Sequence, residues 1–266
     1  MKIAIIGAGN MGGAIARGLA LTAQGAEICV SNPSVGKLDA LKADFPHIKT
    51  TCDNCEAVQG ASIVFLAVKP WKVQEVIEEI KPQLCYDKQV VASVAGGVST
   101  ELLDGWLAKD NALPLPVLYI VIPNTAIATR ESVTFICGKR ATEASDKVML
   151  SLFSPLGEAV PVPEELIPAG TSLASCGIAY ALQYIRAAVQ GGVELGFGEA
   201  EAQKIVMQTV KGALSVLCAN STTPTEEINK VTTPGGLTLK GLAAMEEAGF
   251  AKSVAEGLRA STKKNL

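Results

Sequence analysis

The chain has 266 residues, of which 48% are hydrophobic and 18% are charged, so it is long enough to bury a sizeable core in one or two domains. Its formal net charge is −3 and it carries no long block of basic residues, which excludes the electrostatic footprint of a nucleic-acid-binding protein. It contains no uncharged apolar run of about 18 residues and an odd number of cysteines, so we expect a cytoplasmic protein with reduced thiols and no membrane segment.

The first predicted element is a strand over residues 3–6, which leads directly into a glycine turn and a helix over 10–23. This arrangement is typical of dinucleotide binding, because the glycines permit a tight turn, a close approach to pyrophosphate and close packing of helix on strand. Unpaired N–H groups at the helix start would face the phosphates. A purely structural glycine turn is the alternative. The predicted cofactor contacts are Gly7, Ala8, Gly9, Asn10, Met11 and Gly12.

The second predicted strand, 27–31, lacks the acidic residue that usually follows it and holds a ribose 2′-hydroxyl. Ser31, Asn32, Pro33 and Ser34 stand there instead, with Lys37 nearby. Neutral hydroxyl and amide groups tolerate a 2′-phosphate that a carboxylate would repel, so NADPH is favoured and NADH is the alternative cofactor. The same residues also form an ordinary turn and helix start.

Short apolar runs alternate with helical patterns through the first 160 residues, which is typical of βαβ units around a parallel sheet. The fold class is therefore predicted to be α/β, with an N-terminal Rossmann-type, doubly wound, mostly parallel sheet. The further strands are predicted near 62–67, 89–95, 117–122, 132–137 and 158–162, and the further helices over 34–44, 71–81, 99–108 and 141–154.

Three loops leaving these strands are candidate cofactor contacts, because ligands of open α/β sheets bind beyond the carboxyl ends of the strands. Each is equally an ordinary loop opening, since glycine and proline end strands regardless of function. The candidates are Ala67, Val68, Lys69, Pro70, Ala95, Gly96, Gly97, Pro123, Asn124 and Thr125.

No metal site is predicted. Cys52 and Cys55 have C-x-x-C spacing, but no second pair accompanies them, so we interpret them as small apolar side chains at a helix start. His47 is the single histidine and is expected in a surface loop. Its expected surface position argues against a Ser-His-Asp triad, and a single histidine excludes a histidine-rich metal site.

The pattern changes after Pro161-Val162-Pro163, which predicts one domain over 1–162 and an all-α domain over 163–266. A long helical pattern runs from Glu164 to about Leu195, rich in small residues and nearly uncharged. A helix of this kind must be buried, so we predict an obligate homodimer or larger homo-oligomer through the C-terminal helices. A monomeric helical bundle is the alternative.

A second glycine cluster occurs at residues 231–238, where two glycines enter a helix predicted over 237–248. Backbone N–H groups at such a turn form a cradle for a carboxylate. Thr238 lies in the first turn of that helix, where its hydroxyl either faces the cradle or caps the helix.

Taken together, these segments resemble the pyrroline-5-carboxylate reductases, which carry out the last step of proline synthesis. The resemblance spans nearly the whole chain, and its last segment is the most specific. It rests on Ile6-Gly7-Ala8-Gly9-Asn10-Met11-Gly12, Phe65-Leu66-Ala67-Val68-Lys69-Pro70, Val90-Val91-Ala92-Ser93-Val94-Ala95-Gly96-Gly97-Val98, Pro123-Asn124-Thr125 and Val231-Thr232-Thr233-Pro234-Gly235-Gly236-Leu237-Thr238.

The resemblance implies an NADPH domain, a helical domain that interlocks with that of a partner subunit, and reduction of a cyclic imino acid. It implies that the Gly7 to Gly12 loop holds the pyrophosphate, that Ser31, Asn32, Ser34 and Asn54 lie at the adenosine end, and that the three strand-end loops lie at the nicotinamide side. Thr238 would bond the imine nitrogen as the catalytic residue. The substrate contacts would be Ser175, Thr232, Thr233, Gly235 and Gly236.

The residue inventory suits this chemistry, because the imine nitrogen takes its proton from solvent and no histidine acid is needed. Two departures concern the substrate. Ala126 stands where the family usually has proline, and Ala174-Ser175-Cys176-Gly177-Ile178 replaces a Ser-Gly-Ser-Gly-Pro run. The missing proline predicts a straighter helix there.

Three other functions remain open. Reduction of a related imine, such as a six-membered cyclic imino acid, is the nearest. The β-hydroxyacid dehydrogenases share the Rossmann start and a helical second domain, but they use a lysine after the domain boundary, and residues 164–203 contain none. The altered 174–178 run also suggests a degenerate NADP(H)-binding regulatory protein.

Overall fold

Eight strands form one sheet in the computed structural model, which describes residues 1–23, 25–109 and 114–262. The strand order is β3-β2-β1-β4-β5-β6-β7-β8, and every pair is parallel except β6 with β7. The strands are β1 (Lys2–Ile6), β2 (Glu27–Ser31), β3 (Lys49–Thr51), β4 (Ile63–Leu66), β5 (Val90–Ser93), β6 (Val117–Ile122), β7 (Ser132–Lys139) and β8 (Gly157–Pro161).

Helices connect most of these strands and follow the last one. The first six are α1 (Asn10–Thr22), α2 (Val35–Asp44), α3 (Asn54–Val58), α4 (Val73–Ile80), α5 (Thr100–Leu107) and α6 (Glu143–Phe153). The others are α7 (Ile167–Gly170), α8 (Gly177–Glu194), α9 (Glu199–Asn220), α10 (Pro224–Lys230), α11 (Leu237–Glu247) and α12 (Phe250–Thr262). Short 3₁₀ turns occur at Pro70–Lys72, Lys81–Gln83, Thr125–Thr129, Ser154–Leu156 and Glu164–Leu166.

The core lies on both faces of the sheet. Because successive side chains of a strand point to opposite faces, β1 sends Ile3 and Ile5 into one cluster and Ala4 and Ile6 into the other. The first cluster includes the aromatic pair Phe65 and Phe153, whose ring centroids are 5.8 Å apart. Burial on both faces explains why the central strands are almost continuously apolar. The predicted doubly wound, mostly parallel sheet is confirmed.

The strands and helices predicted over the first 160 residues agree with these bounds to within two residues, but one strand and one helix of this region are not indicated by the sequence pattern. These are β3 and α3, which have three and five residues. Elements of this length are too short to display a period of their own. His47 is exposed in the turn before β3, as predicted, and the Cys52-to-Cys55 segment does begin a helix, whose N-cap is Asp53.

The chain divides into two compact units after Ser175, beyond the predicted boundary at 162/163. The intervening segment packs on the first unit: Ile167 is 6% exposed within its core, and a Cβ on Gly170 would lie 2.8 Å from the Phe135 ring. The sequence pattern marks the end of β8, whereas the chain after it continues to pack against the core of the first unit for several turns. The first unit therefore contains the start of the helical stretch.

Every regular element of the second unit within residues 176–262 is a helix, as predicted, whereas 263–266 lie outside the described residues. Among its described residues, Ala202 alone is buried, at 2% exposure. Several large apolar side chains stand in solvent, including Leu195 and Leu237 at 85% and Val231 at 66%. A helical unit that buries this little of its own apolar surface needs cover from elsewhere.

A charge cluster ties α5 to the end of β7 within the first unit. The Asp104 carboxylate accepts two hydrogen bonds from Arg140, at 2.9 and 2.6 Å, and lies 2.8 Å from the Lys139 ammonium. Burial raises the pKa of Asp104, but the hydrogen bonds from Arg140 and Lys139 outweigh burial and hold it below its ordinary value.

Asp104→Asn should therefore lower the free energy of unfolding at pH 7 by about 2 kcal/mol, the typical value of a charge-assisted hydrogen bond. Because the folded-state pKa lies below the unfolded value of about 3.9, the stabilisation is complete above that value and disappears as pH falls through the folded pKa. Urea unfolding from pH 7 to pH 3 should show wild type and variant converging in acid.

The matched control is Glu143→Gln, which removes an exposed ion pair with Lys147 and should change stability little. A stability difference for Asp104→Asn that stays constant down to pH 3 would contradict the assignment of the effect to ionised Asp104.

Candidate functional site

The loop after β1 is closed by glycines that approach other backbone atoms. Gly7 has φ +105°, and a Cβ there would lie 2.6 Å from the Ala67 carbonyl oxygen. A Cβ on Gly12 would lie 1.9 Å from the Gly7 carbonyl oxygen, whereas one on Gly9 would meet nothing within 4 Å. Two of the glycines are thus required by packing, and the middle one leaves open space for a ligand. This is the division of roles that the motif predicts.

The start of α1 is open to an anion. Its N-cap is Gly9, no side chain bonds the first-turn N–H groups in the described chain, and the first turn holds no acidic residue. Unsatisfied N–H groups carry the positive end of the helix dipole. Asn10 is exposed and Met11 half-buried at this end of the helix. The loop has the features that a pyrophosphate requires.

Asn32 braces this loop from the end of β2. Its Oδ1 accepts from the Ala8 N–H at 3.0 Å, and its Nδ2 donates to the Ser34 carbonyl at 3.1 Å. Only 7% of Asn32 is exposed, so the amide is fixed in place. The sequence draws attention to position 32 because the usual acidic residue is missing there. It does not reveal that the Asn32 amide supports the glycine loop.

Ser31 and Asn54 lie together beside the same loop. The Ser31 hydroxyl, fully buried, donates to Asn54 Oδ1 at 2.7 Å, and Asn54 Nδ2 donates to Glu79 at 2.8 Å. The Ser34 hydroxyl is exposed and makes no capping bond at the start of α2. Of the predicted adenosine-end residues, Ser34 has an exposed hydroxyl, whereas the side chains of Ser31, Asn32 and the half-buried Asn54 are hydrogen-bonded within the protein.

The described residues contain one group with metal-ligand chemistry, where donor atoms of Asp53, Cys55 and Glu79 lie within 4.8 Å of one another. Its members already have partners: Asp53 accepts from two N–H groups as the cap of α3, and the Cys55 thiol donates to the Glu79 carbonyl at 3.4 Å. Burial, Glu79 and Asp53 raise the pKa of Cys55, so a thiolate ligand is disfavoured. We assign no metal to this group.

The three strand-end loops lie at the same sheet edge as the glycine loop, because β1, β4, β5 and β6 are parallel. The loop after β4 adjoins Gly7 through Ala67, whose N–H donates to the Ile6 carbonyl at 2.8 Å. In this loop Ala67, Val68 and Pro70 are half-buried and Lys69 is exposed; in the next, Ala95 is buried and Gly96 and Gly97 are exposed. The structure thus gathers all four predicted cofactor segments.

Asn124, at the end of β6, is held from three sides. Its N–H donates to Ser132 Oγ at 3.2 Å, its Oδ1 accepts from the Ala126 N–H at 3.0 Å, and its Nδ2 lies 3.5 Å from the Ala174 carbonyl. Beside it, the Ser175 hydroxyl donates to the Pro123 carbonyl at 2.8 Å. Asn124 and Ser175 are therefore brought together, as the resemblance implies, although Ser132 gave no signal in the sequence.

The helix through the altered run is not regular. Residues Thr171–Cys176 form a π-helical segment between α7 and α8. Segments of this kind are rare and are often found at functional sites. Ile178, at the position of the missing proline, lies just after this segment in the first turn of α8, so the expected straighter helix there stays a prediction.

The second glycine cluster forms a turn before α11 in the second unit. Gly235 has φ +74°, and the Gly236 N–H donates to the Thr233 carbonyl at 2.9 Å. Gly236 is the N-cap, and no side chain bonds the first-turn N–H groups in the described chain. Thr232 is half-buried with its hydroxyl on the Asn229 carbonyl at 3.2 Å, and Thr233 is exposed.

Thr238 is exposed in this first turn, and its hydroxyl makes no hydrogen bond within the described residues. It does not cap the helix, so the structural alternative for its hydroxyl is not supported. The turn therefore presents free N–H groups beside the free hydroxyl of Thr238, which suits a carboxylate next to a hydrogen-bonding nitrogen or oxygen.

None of the helices in the described ranges has the length and apolar character needed to span a bilayer.

Comparison with known proteins assigns both parts of the chain. A family described as pyrroline-5-carboxylate reductase dimerisation matches residues 164–266, and one described as NADP oxidoreductase, coenzyme F420-dependent, matches residues 2–96. The dimerisation match indicates homo-oligomerisation through the C-terminal helices.

Two relatives come from Dictyostelium discoideum. Pyrroline-5-carboxylate reductase 1 is 36% identical over 98% of this chain, which spans about half (49%) of that protein. Pyrroline-5-carboxylate reductase 2 is 32% identical over 99% of this chain and 92% of its own length.

Solved structures agree with these relatives. The pyrroline-5-carboxylate reductase of Coxiella burnetii has a TM-score of 0.85 and 29% identity, over 98% of this chain and 95% of that one. The Plasmodium falciparum enzyme with NADP bound has a TM-score of 0.87 over 98% of this chain and 95% of that one; at 23% identity it supports the fold. On this evidence, the chain belongs to the pyrroline-5-carboxylate reductase family.

Proposed function

We propose that the protein reduces the cyclic imine 1-pyrroline-5-carboxylate to proline with a hydride from NADPH. The observation that carries the proposal is the uncapped start of α11, where free N–H groups adjoin the free hydroxyl of Thr238. A carboxylate and a ring nitrogen are the two polar groups of the substrate, and this turn offers partners for both. The names of the relatives support the same substrate.

The cofactor is proposed to bind along the carboxyl edge of the sheet. The Gly7 to Gly12 loop fits its pyrophosphate, because the N–H groups at the start of α1 are uncapped and Gly9 leaves space. Ser34 and Asn54 would lie at the adenosine end, with Ser31 and Asn32 acting through the braced loop. The nicotinamide side would be held by Ala67, Val68, Lys69, Pro70, Ala95, Gly96, Gly97 and Asn124.

The reaction adds a hydride to the imine carbon and leaves an amine. When bound, the nicotinamide supplies the hydride, and the imine nitrogen carries a proton taken from solvent. In the proposal, Thr238 accepts a hydrogen bond from that protonated nitrogen, and the N–H groups near Gly235 and Gly236, with Thr232 and Thr233, bind the carboxylate. The protein therefore contributes mainly placement and orientation.

We also propose that the active species is a homodimer or a higher homo-oligomer. The exposed leucines of the second unit and the dimerisation match support a second copy as the cover. A subunit-sized mass in light scattering would contradict this. A cytoplasmic location is supported by the cysteines, all of which are free thiols in the described chain, and cell fractionation would check it.

Turnover should be measured with NADPH and NADH against both pyrroline-5-carboxylate and its six-membered homologue. We expect NADPH to be oxidised with the five-membered ring, at a kcat/KM at least about tenfold above the value measured with NADH. The kcat/KM for the larger ring should also be at least about tenfold lower, since one methylene in a pocket changes binding by about 1–3 kcal/mol. A higher kcat/KM for the larger ring would identify the six-membered cyclic imino acid as the substrate instead. Binding of NADPH without turnover of either imine would support a regulatory protein.

Thr238→Ala should lower kcat by about 10- to 100-fold, since it removes a hydrogen bond at the reacting nitrogen, the kind of loss that costs about 1–3 kcal/mol. The Kd for NADPH should change little, because the sheet-edge loops bind the cofactor. Thr238→Ser keeps the hydroxyl and is the matched control. Unchanged turnover in the alanine variant would remove Thr238 from the reaction.

Ser34→Asp tests the cofactor assignment. A carboxylate beside the adenosine ribose would repel a 2′-phosphate, so the KM for NADPH should rise about tenfold or more while the KM for NADH rises less. Ser34→Ala removes the hydroxyl without adding charge and serves as the control. Equal effects on the two cofactors would mean that Ser34 lies away from the 2′ position.

A further inference from the structure

Glu164 makes a long-range contact with the start of α5. Its two carboxylate oxygens accept from the N–H and the hydroxyl of Thr100, at 2.8 and 2.5 Å, across 64 residues of sequence. Thr100 is 3% exposed and Glu164 is half-buried, so this contact is partly shielded from solvent. Glu164 begins the 3₁₀ turn that follows Pro163, within the first unit.

The contact completes the N-terminal cap of α5. The local cap, Ser99, accepts from the Leu102 N–H at 3.3 Å and leaves the Thr100 N–H without a partner in the helix. Glu164 supplies that partner and places a negative charge at the positive end of the helix dipole. The Lys139 ammonium donates to the Thr100 hydroxyl oxygen at 3.4 Å, so the same threonine contacts a carboxylate and a cation.

The residues just before this cap are the exposed Gly96 and Gly97 of the strand-end loop. A Cβ at either position would meet nothing within 4 Å, and Gly97 has φ +83°. Packing therefore does little to fix these glycines. Their position depends on the residues at the two ends of the loop, which are the buried Ala95 after β5 on one side and the buried Val98, followed by Thr100, on the other.

We propose that Glu164 is a positioning residue that fixes the Ala95-Gly96-Gly97 loop by holding Thr100. This rests on the proposed function, in which that loop lies at the nicotinamide ring. Its role is indirect, because Glu164 acts through Thr100. Hydride transfer is sensitive to small displacements of the reacting atoms, whereas cofactor affinity comes largely from the phosphate contacts of the Gly7 to Gly12 loop.

Glu164→Gln should therefore lower kcat about tenfold and change the Kd for NADPH by less than about threefold, because one amide oxygen serves only one of the two Thr100 donors. Thr100→Val, which removes the hydroxyl alone, should lower kcat about threefold. The double variant should be no slower than Glu164→Gln, since the two changes break one interaction. Thr100→Ser keeps both donors, so its turnover should equal that of the wild type.

Glu165→Gln is the matched control, since it removes the neighbouring, exposed carboxylate of the same turn. Thermal melts of all variants would separate positioning from stability: a merely structural contact would lower Tm and leave kcat per folded enzyme unchanged. That result would overturn the proposal.

Amide hydrogen exchange over residues 95–100 provides a readout that does not require turnover. Glu164→Gln should raise exchange there by about tenfold relative to Glu165→Gln, and equal exchange would overturn the proposal. If the wild-type protein turned over neither imine but the two variants still differed in exchange, the proposed function would be wrong. The link from Glu164 to the loop would still be supported.

Discussion

The rest of the site depends on the close approach of three backbone segments at the end of β1. A Cβ on Gly12 would come within 1.9 Å of the Gly7 carbonyl oxygen, and one on Gly7 within 2.6 Å of the Ala67 carbonyl oxygen. This contact brings the start of α1 to the sheet edge and the loop after β4 against the glycine turn. Without it, the free N–H groups of α1 would face no common surface with the neighbouring strand ends.

The parts of this site that follow from local pattern could be predicted from sequence. Glycine spacing and a buried strand indicate the turn, and apolar runs indicate the central strands, because each signal is contained in a few adjacent residues. The contacts from Asn32 to Ala8 and from Glu164 to Thr100 join residues 24 and 64 positions apart. Such pairings depend on how the strands are arranged, which a local pattern does not record.

The two units illustrate different ways of burying apolar surface. The first has a sheet covered on both faces, so its core is complete within one chain. The second has helices with large apolar side chains in solvent, such as Leu214 at 60% exposure. The pattern beyond residue 163 predicted helix correctly, and the first turns of the helical stretch, around Ile167, pack in the first core.

Asn32 has a consequence for attempts to re-engineer the cofactor preference. Its amide uses both of its ends, accepting from the Ala8 N–H and donating to the Ser34 carbonyl. Asn32→Asp would provide the acid that NAD-specific folds use, but it would replace the donor by a second oxygen facing that carbonyl. A switch of specificity at this position would therefore require a compensating donor, so Asn32→Asp alone would disturb the glycine loop that binds either cofactor.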